Sequence, residues 1–381
     1  MHNAFVLTCA FYAVLTPAVC VLGETEMRTC LPSEERTVPL IYCSDIFHPA
    51  MDPDDHFDLA ALFAMKVFDV KAVILDGHID RKGQDQFNGG GRIPLAQMTA
   101  ITGYAVPSAV GFNAKLASPT DALSDYEKRY QGGVELMRRV LEDSPVPVTI
   151  KISTGTDLAV LFNRHPDLCR RKIRAVYFNA GHGVGGVTDE YNVSLDPVAF
   201  TRIFETGLPI FWNPCFGKGR EVGDGHCNFF VVKDQRTLLE KAPERLSRFF
   251  SYALLAPKAD PIAWLSDGSA AKVKKHARWM WTPPVLAHAA GLRTYGTSEG
   301  VFAWMTPAEA GRKGLLKRER KVFGYESAKV TVVEAERGKG TLKVEYGAPG
   351  ANAWVFRQTA PDYGDVMTSC LRELYSGIDC R

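Results

Sequence analysis

No Cys-x-x-Cys pair occurs among the nine cysteines of this 381-residue chain, which leaves a zinc site without support. Nor is there an excess of one charge: 45 Lys and Arg face 43 Asp and Glu, a formal net charge of +2. A broad basic field that tracks phosphates is therefore excluded, and nucleic acid with it. The basic run 312–321 has only Phe323 nearby to stack on a base, so it reads as a solvated surface segment. Repeats, low-complexity tracts and Pro- or Ser-rich linkers are also absent.

A single apolar run, residues 4–22, is long enough to concern a membrane. It reads as a secretory signal peptide, residues 1–23, although Met1-His2-Asn3 lacks the usual Lys or Arg. The expected location is secreted or periplasmic. An uncleaved anchor is the competing reading, which Pro17 in mid-run disfavours. Seven cysteines would follow the cleavage point, and export permits disulfides. Cys215 with Cys227 and Cys370 with Cys380 are the expected pairs, while Cys43 sits in an apolar strand as a buried thiol.

The full chain is ordinary in composition, 46% hydrophobic and 23% charged. Apolar runs at 38–44, 70–75, 148–152, 173–179 and 208–213 predict strands. Helical patterns at 56–67, 94–102, 126–141, 156–164 and 196–205 lie between them, with one or two further helices over 237–255. That alternation predicts an α/β fold, a mostly parallel open sheet with helices on both faces. Past Lys321 the pattern changes to alternating β-branched and polar residues around Arg337-Gly338-Lys339-Gly340, a hairpin signal. The organisation expected is one α/β domain over 24–321 with a small β-rich C-terminal appendage, 322–381, packed on it.

The most acidic stretch follows the first predicted strand. Asp45, Asp52, Asp54, Asp55 and Asp58 fall within 14 residues and lead into an apolar helix. Such crowded carboxylates repel one another unless water, a cation or a polyol compensates them. Their place is the carboxyl end of a strand, where open α/β sheets bind ligands. A solvated helix cap is the competing reading. Gly181-His182-Gly183-Val184-Gly185-Gly186 formally matches a dinucleotide fingerprint, but the residues that follow are polar and loop-like. No helix is offered to a pyrophosphate, so these glycines are read as a loop folding over a pocket. Thr156 and Asp260 each begin a helix-like stretch, and together with Asp45 and Asp54 or Asp55 they suggest a hard-oxygen site suited to calcium.

Taken in order, Asp45, Pro53-Asp54-Asp55, Thr154-Gly155-Thr156-Asp157-Leu158-Ala159, Glu190-Tyr191-Asn192, Asp196-Pro197 and Asp260-Pro261-Ile262-Ala263 resemble the inosine/uridine-preferring nucleoside hydrolases. The resemblance covers most of residues 38–265. It implies calcium-dependent hydrolysis of an N-glycosidic bond of a ribonucleoside or related glycoside. By the same resemblance Asp45 is the base that takes a proton from water and is also a calcium ligand. Asp55, the Thr156 carbonyl and Asp260 complete the calcium set, and Asp54, His78, Glu190 and Asn192 hold the sugar. The chain departs from the family at the insertion 46–51, at His78 where an Asn is usual, and at Ala259 where a His often precedes the last Asp. Two other readings therefore stay open: a hydrolase of a different glycosyl conjugate, and a secreted sugar- or nucleoside-binding protein without turnover. Substrate partners are small molecules, no membrane contact is expected beyond the export signal, and homo-oligomerisation is left open.

Overall fold

The computed structural model describes residues 38–50, 52–79, 83, 85–186, 189–269 and 273–380. The expected signal segment and Cys30 lie outside the described residues. The strands in chain order are β1 (Val38–Ser44), β2 (Phe68–Leu75), β3 (Ser108–Val110), β4 (Val148–Ile152), β5 (Ile173–Asn179) and β6 (Ile210–Asn213). After them come β7 (Phe230–Val232), β8 (Arg278–Met280), β9 (Arg293–Gly296), β10 (Phe302–Met305), β11 (Phe323–Val332), β12 (Leu342–Tyr346) and β13 (Ala353–Gln358).

Nine of these form one sheet in the order β12-β11-β13-β6-β5-β4-β1-β2-β3. Every pairing from β3 across to β13 is parallel, and β11 is antiparallel to both of its neighbours. The β-rich C-terminal segment thus extends the parallel sheet itself, through β13 against β6. The other four strands make two small antiparallel pairs, β7 with β8 and β9 with β10.

The central parallel strands β1, β4 and β5 are buried on both faces, as strands inside a parallel sheet must be. In β1, Leu40 and Tyr42 face one apolar layer while Ile41 and Cys43 face the other. The first layer is covered by the helices Asp54–Ala64, Arg92–Thr102, Glu244–Leu255, Thr282–Ala289 and Tyr363–Ser376. The second is covered by Gly132–Asp143, Thr156–Arg164 and Pro197–Ile203. The C-terminal helix locks onto the first: Tyr375 donates its hydroxyl to the Phe57 carbonyl at 2.7 Å.

The expected disulfides do not form; all six described cysteines are free. Cys370 is fully buried in the apolar core, whereas Cys380 lies half-buried beyond the end of that helix. The Cys227 thiol turns instead to the Val222 carbonyl at 3.6 Å.

Candidate functional site

Between β1 and β4 the strand order reverses: β2 and β3 extend to one side of β1, while β4, β5 and β6 extend to the other. The crevice outside the carboxyl ends of strands at such a reversal is where open α/β sheets bind ligands. A cavity of about 280 Å³ opens there. Asp45 enters it just past β1, Ser153 just past β4, Asn179 as the last residue of β5, and Cys215 just past β6. A larger, more open concavity of about 530 Å³, lined by Glu299, Lys313 and Arg318, gathers no comparable set of carboxylates.

One wall of the cavity is acidic, formed by Asp45, Asp52, Asp54, Asp55 and Asp58. Asp54 and Asp55 open the helix Asp54–Ala64, and Asp58 follows one turn later on the same face. Ser44 Oγ donates to Asp55 Oδ1 at 3.3 Å and ties the helix start to the end of β1. Four of these carboxyls, Asp45, Asp54, Asp55 and Asp58, hold protons more firmly than free ones. Burial, then the charge of Asp76, raises Asp45 to about 6. Burial raises Asp58 to about 7, against the pull of Lys151 and a hydrogen bond from Thr282. Asp54 and Asp55 are likewise raised, by burial and then by their acidic neighbours. Two buried cations stand near this wall: Arg278 Nη1 lies 3.9 Å from Asp52 Oδ1, whereas Lys151 makes no ion pair with a carboxylate among the described residues. Lys151 Nζ donates to Ser153 Oγ at 2.7 Å and to the Cys43 carbonyl at 3.4 Å, over the Tyr42 ring at 4.8 Å.

The opposite wall is polar and aromatic. Glu190 caps the short helix Tyr191–Leu195, accepting from the Asn192 amide at 3.0 Å and the Val193 amide at 3.3 Å. The same carboxylate accepts from Gly181 N at 2.8 Å and so pins the Gly-rich loop. That loop is not a dinucleotide turn. Gly181 adopts φ +80°, and a Cβ on Gly183 would stand 2.1 Å from the His226 carbonyl, so glycine is demanded by local packing. The loop delivers His182 to the cavity. Asn192 Nδ2 donates to the Asn179 carbonyl at 3.1 Å. Phe216, Trp279 and Trp281 form the outer rim, with Phe216 edge-on to Trp281 at 5.8 Å. Replacing Glu190 by Ala removes a buried acceptor that serves three amides. A loss of about 1–3 kcal/mol is expected, read as a lowered denaturant midpoint.

Of the residues singled out in the sequence, Asp45, Asp54, Asp55, Glu190 and Asn192 line this cavity. Three others do not. His78 is buried, its Nδ1 2.5 Å from Asp76 Oδ1, while Thr154 donates to the same carboxylate. Burial opposes charge there, but the Asp76 carboxylate still holds His78 above its ordinary pKa. Thr156 is fully buried at the start of its helix, its hydroxyl donating to Asp196 Oδ2 at 2.9 Å. Asp260 is exposed and caps a local turn, its Oδ1 accepting from Ile262 N at 2.9 Å and Ala263 N at 2.8 Å. Sequence reasoning placed Asp58 in the acidic stretch without giving it a role, and missed Asn179 and Thr282. The spacing of Asp58 from Asp54 and Asp55 was the available signal for a role. Thr282 had a signal as well, since it precedes Pro283 at a helix start.

No protein-family model matches the chain. Over 81 residues it is 42% identical to a pyrimidine-specific ribonucleoside hydrolase, RihA, of Citrobacter koseri, and 43% identical to its counterpart in an Enterobacter species. These matches take in 20% of this chain and 26% of each relative, so the chain spans about a quarter of the curated relatives it matches. Likeness in structure is far more extensive. A plant nucleoside hydrolase superposes with a TM-score of 0.54 at 16% identity, over 89% of this chain and 99% of that one. A purine-preferring ribonucleoside hydrolase from Gardnerella vaginalis gives 0.55 at 13% identity, with the same coverage. The chain is nucleoside hydrolase-like in fold.

The acidic wall of this nucleoside hydrolase-like chain can be tested against a divalent cation. Among the described residues no three His, Cys, Asp or Glu side chains stand together as a ready-made metal centre. The donor chemistry nevertheless fits a hard ion. The wall offers carboxylate oxygens alone, Asp58 Oδ1 is buried without a hydrogen-bond partner, and both amide atoms of Asn179 are likewise unpartnered.

Proposed function

We propose that this chain hydrolyses the N-glycosidic bond of a ribonucleoside or a related glycoside, with a divalent cation, calcium by its donor set, held at the acidic wall. The observation that carries this reading is the convergence of Asp45, Asp54 and Asp55 with Glu190 and Asn192 in one cavity at the sheet's reversal point. Asp45 and Asp55 would hold the ion, which when bound supplies a Lewis acid for water and for the sugar diol. Asp45 would also take the proton from a water polarised by the ion. Asp54 accepts hydrogen bonds from ribose hydroxyls, and Asn192 holds the sugar from the far side. Glu190 keeps the helix start and the Gly-rich loop in place. Positive charge developing at the anomeric carbon is favoured by the surrounding carboxylates. The leaving group faces His182, Phe216, Trp279 and Trp281. The RihA relatives and the two solved hydrolases support the reaction type. An export signal at residues 1–23 would place the activity outside the cytoplasm.

Changed sugar specificity has its own support: His78, tied to Asp76, does not reach the cavity. Ribonucleosides and aryl glycosides should therefore be assayed side by side for released base or reducing sugar, with calcium and then with a chelator. Calcium-dependent release from at least one class is expected, falling at least about tenfold on chelation. Sugar binding without release from any of them would identify a binding protein instead.

A further inference from the structure

This inference rests on the divalent-cation reading given above and names which residues complete its ligand set. We propose that Asp58, oriented by Thr282, supplies the cation-facing carboxylate that the sequence pattern assigns to Asp260. Asp58 lies four residues after Asp54 and three after Asp55 in the helix Asp54–Ala64, so the three carboxylates share a face one turn apart. Its residue is only 2% exposed and its Oδ1 has no hydrogen-bond partner, a costly state for an acceptor buried beside other carboxylates. Asn179 gives a second, independent sign of an absent ligand. It is 3% exposed at the end of β5, lines the same cavity, and leaves both amide atoms unpartnered.

The protein compensates the wall only in part: Arg278 Nη1 lies 3.9 Å from Asp52 Oδ1, and among the described residues no ion pair reaches Asp45, Asp54, Asp55 or Asp58. Lys151 is spent on Ser153 Oγ, the Cys43 carbonyl and the Tyr42 ring, and no ion pair joins it to a carboxylate among the described residues. Thr282 opens the helix Thr282–Ala289, lines the cavity and hydrogen-bonds to Asp58, which fixes the carboxylate's direction. Asp260 is occupied elsewhere: its Oδ1 accepts from two backbone amides of its own exposed turn.

The test is calcium binding by the full-length chain, measured by titration calorimetry and by terbium luminescence, with the calcium-induced rise in melting temperature as a fold-controlled readout. Asp58→Asn keeps the volume and removes the charge, and should weaken calcium about 30-fold or more. Thr282→Val should weaken it about tenfold, as loss of an orienting partner does. Asp260→Asn should bind within about threefold of the unaltered protein. In chelator Asp58→Asn should melt no lower than the unaltered protein, because a strained buried charge has been removed. The inference is overturned if Asp58→Asn binds calcium as well as the unaltered protein, or if Asp260→Asn loses binding to the same degree. Failure of the unaltered protein to bind either ion overturns the cation reading itself, a result distinguishable from both.

Discussion

Asp45→Asn should lower turnover of any cleaved glycoside by about a thousandfold at saturating calcium, with a much smaller change in KM. Asparagine matches the aspartate in size, so packing at the end of β1 is retained. It cannot take a proton from water, and it carries no negative charge to favour a cationic transition state. Both losses fall on the chemical step, which separates kcat from KM. The melting temperature in chelator should hold or rise, since ionised Asp45 stands in a repulsive field set by burial and Asp76. Turnover within tenfold of the unaltered protein would remove Asp45 from the role of base, leaving Asp52, at the same cavity, to be tested in its place.

The second large effect is a pH dependence of stability that calcium reverses. Asp45 is raised to about 6 and Asp58 to about 7, in both cases first by burial. The unfolded chain releases these protons near pH 4, whereas the folded chain keeps them up to pH 6–7. Across that window the folded state binds more protons than the unfolded one, so stability falls as pH rises. In chelator the melting temperature should drop by roughly 5 °C or more between about pH 5 and pH 7.5. Calcium should restore most of that drop at the higher pH and do little at the lower, where protons already occupy the carboxyls. Asp157, raised to about 7 by burial and then by Asp76, does not line the cavity; its share of the drop should persist in calcium. A melting temperature that climbs with pH in chelator, or ignores calcium at pH 7.5, would contradict this account.

The parallel sheet was readable because its central strands are apolar runs bounded by turn residues. The predicted spans 148–152, 156–164 and 173–179 coincide with the observed elements. Reading failed where proline and glycine mark something other than a break. The helix predicted over 126–141 starts only at Gly132, and Gly133 lies inside it because a Cβ there would stand 2.8 Å from the Gly111 Cα. The helix Thr282–Ala289 was not among the predicted elements, although Pro283-Pro284 suits a first helical turn. The site shows the same division. Carboxylates at the end of β1 were found from local sequence, since the strand and helix beside them fix their place. Asp260-Pro261 and Thr282-Pro283 have the same local form, and only the three-dimensional fold reveals which one reaches the cavity. The family resemblance, carried over by motif, led the reading to the exposed turn at Asp260.

The central claim is that carboxylates from one strand end and one helix face serve a single divalent ion. The most direct measurement is the anomalous scattering of terbium in crystals of the full-length chain. One strong peak is predicted, with oxygens of Asp45, Asp55 and Asp58 at about 2.3–2.6 Å from it. A cavity without a peak, or a peak only at Asp260 or elsewhere on the surface, would contradict it.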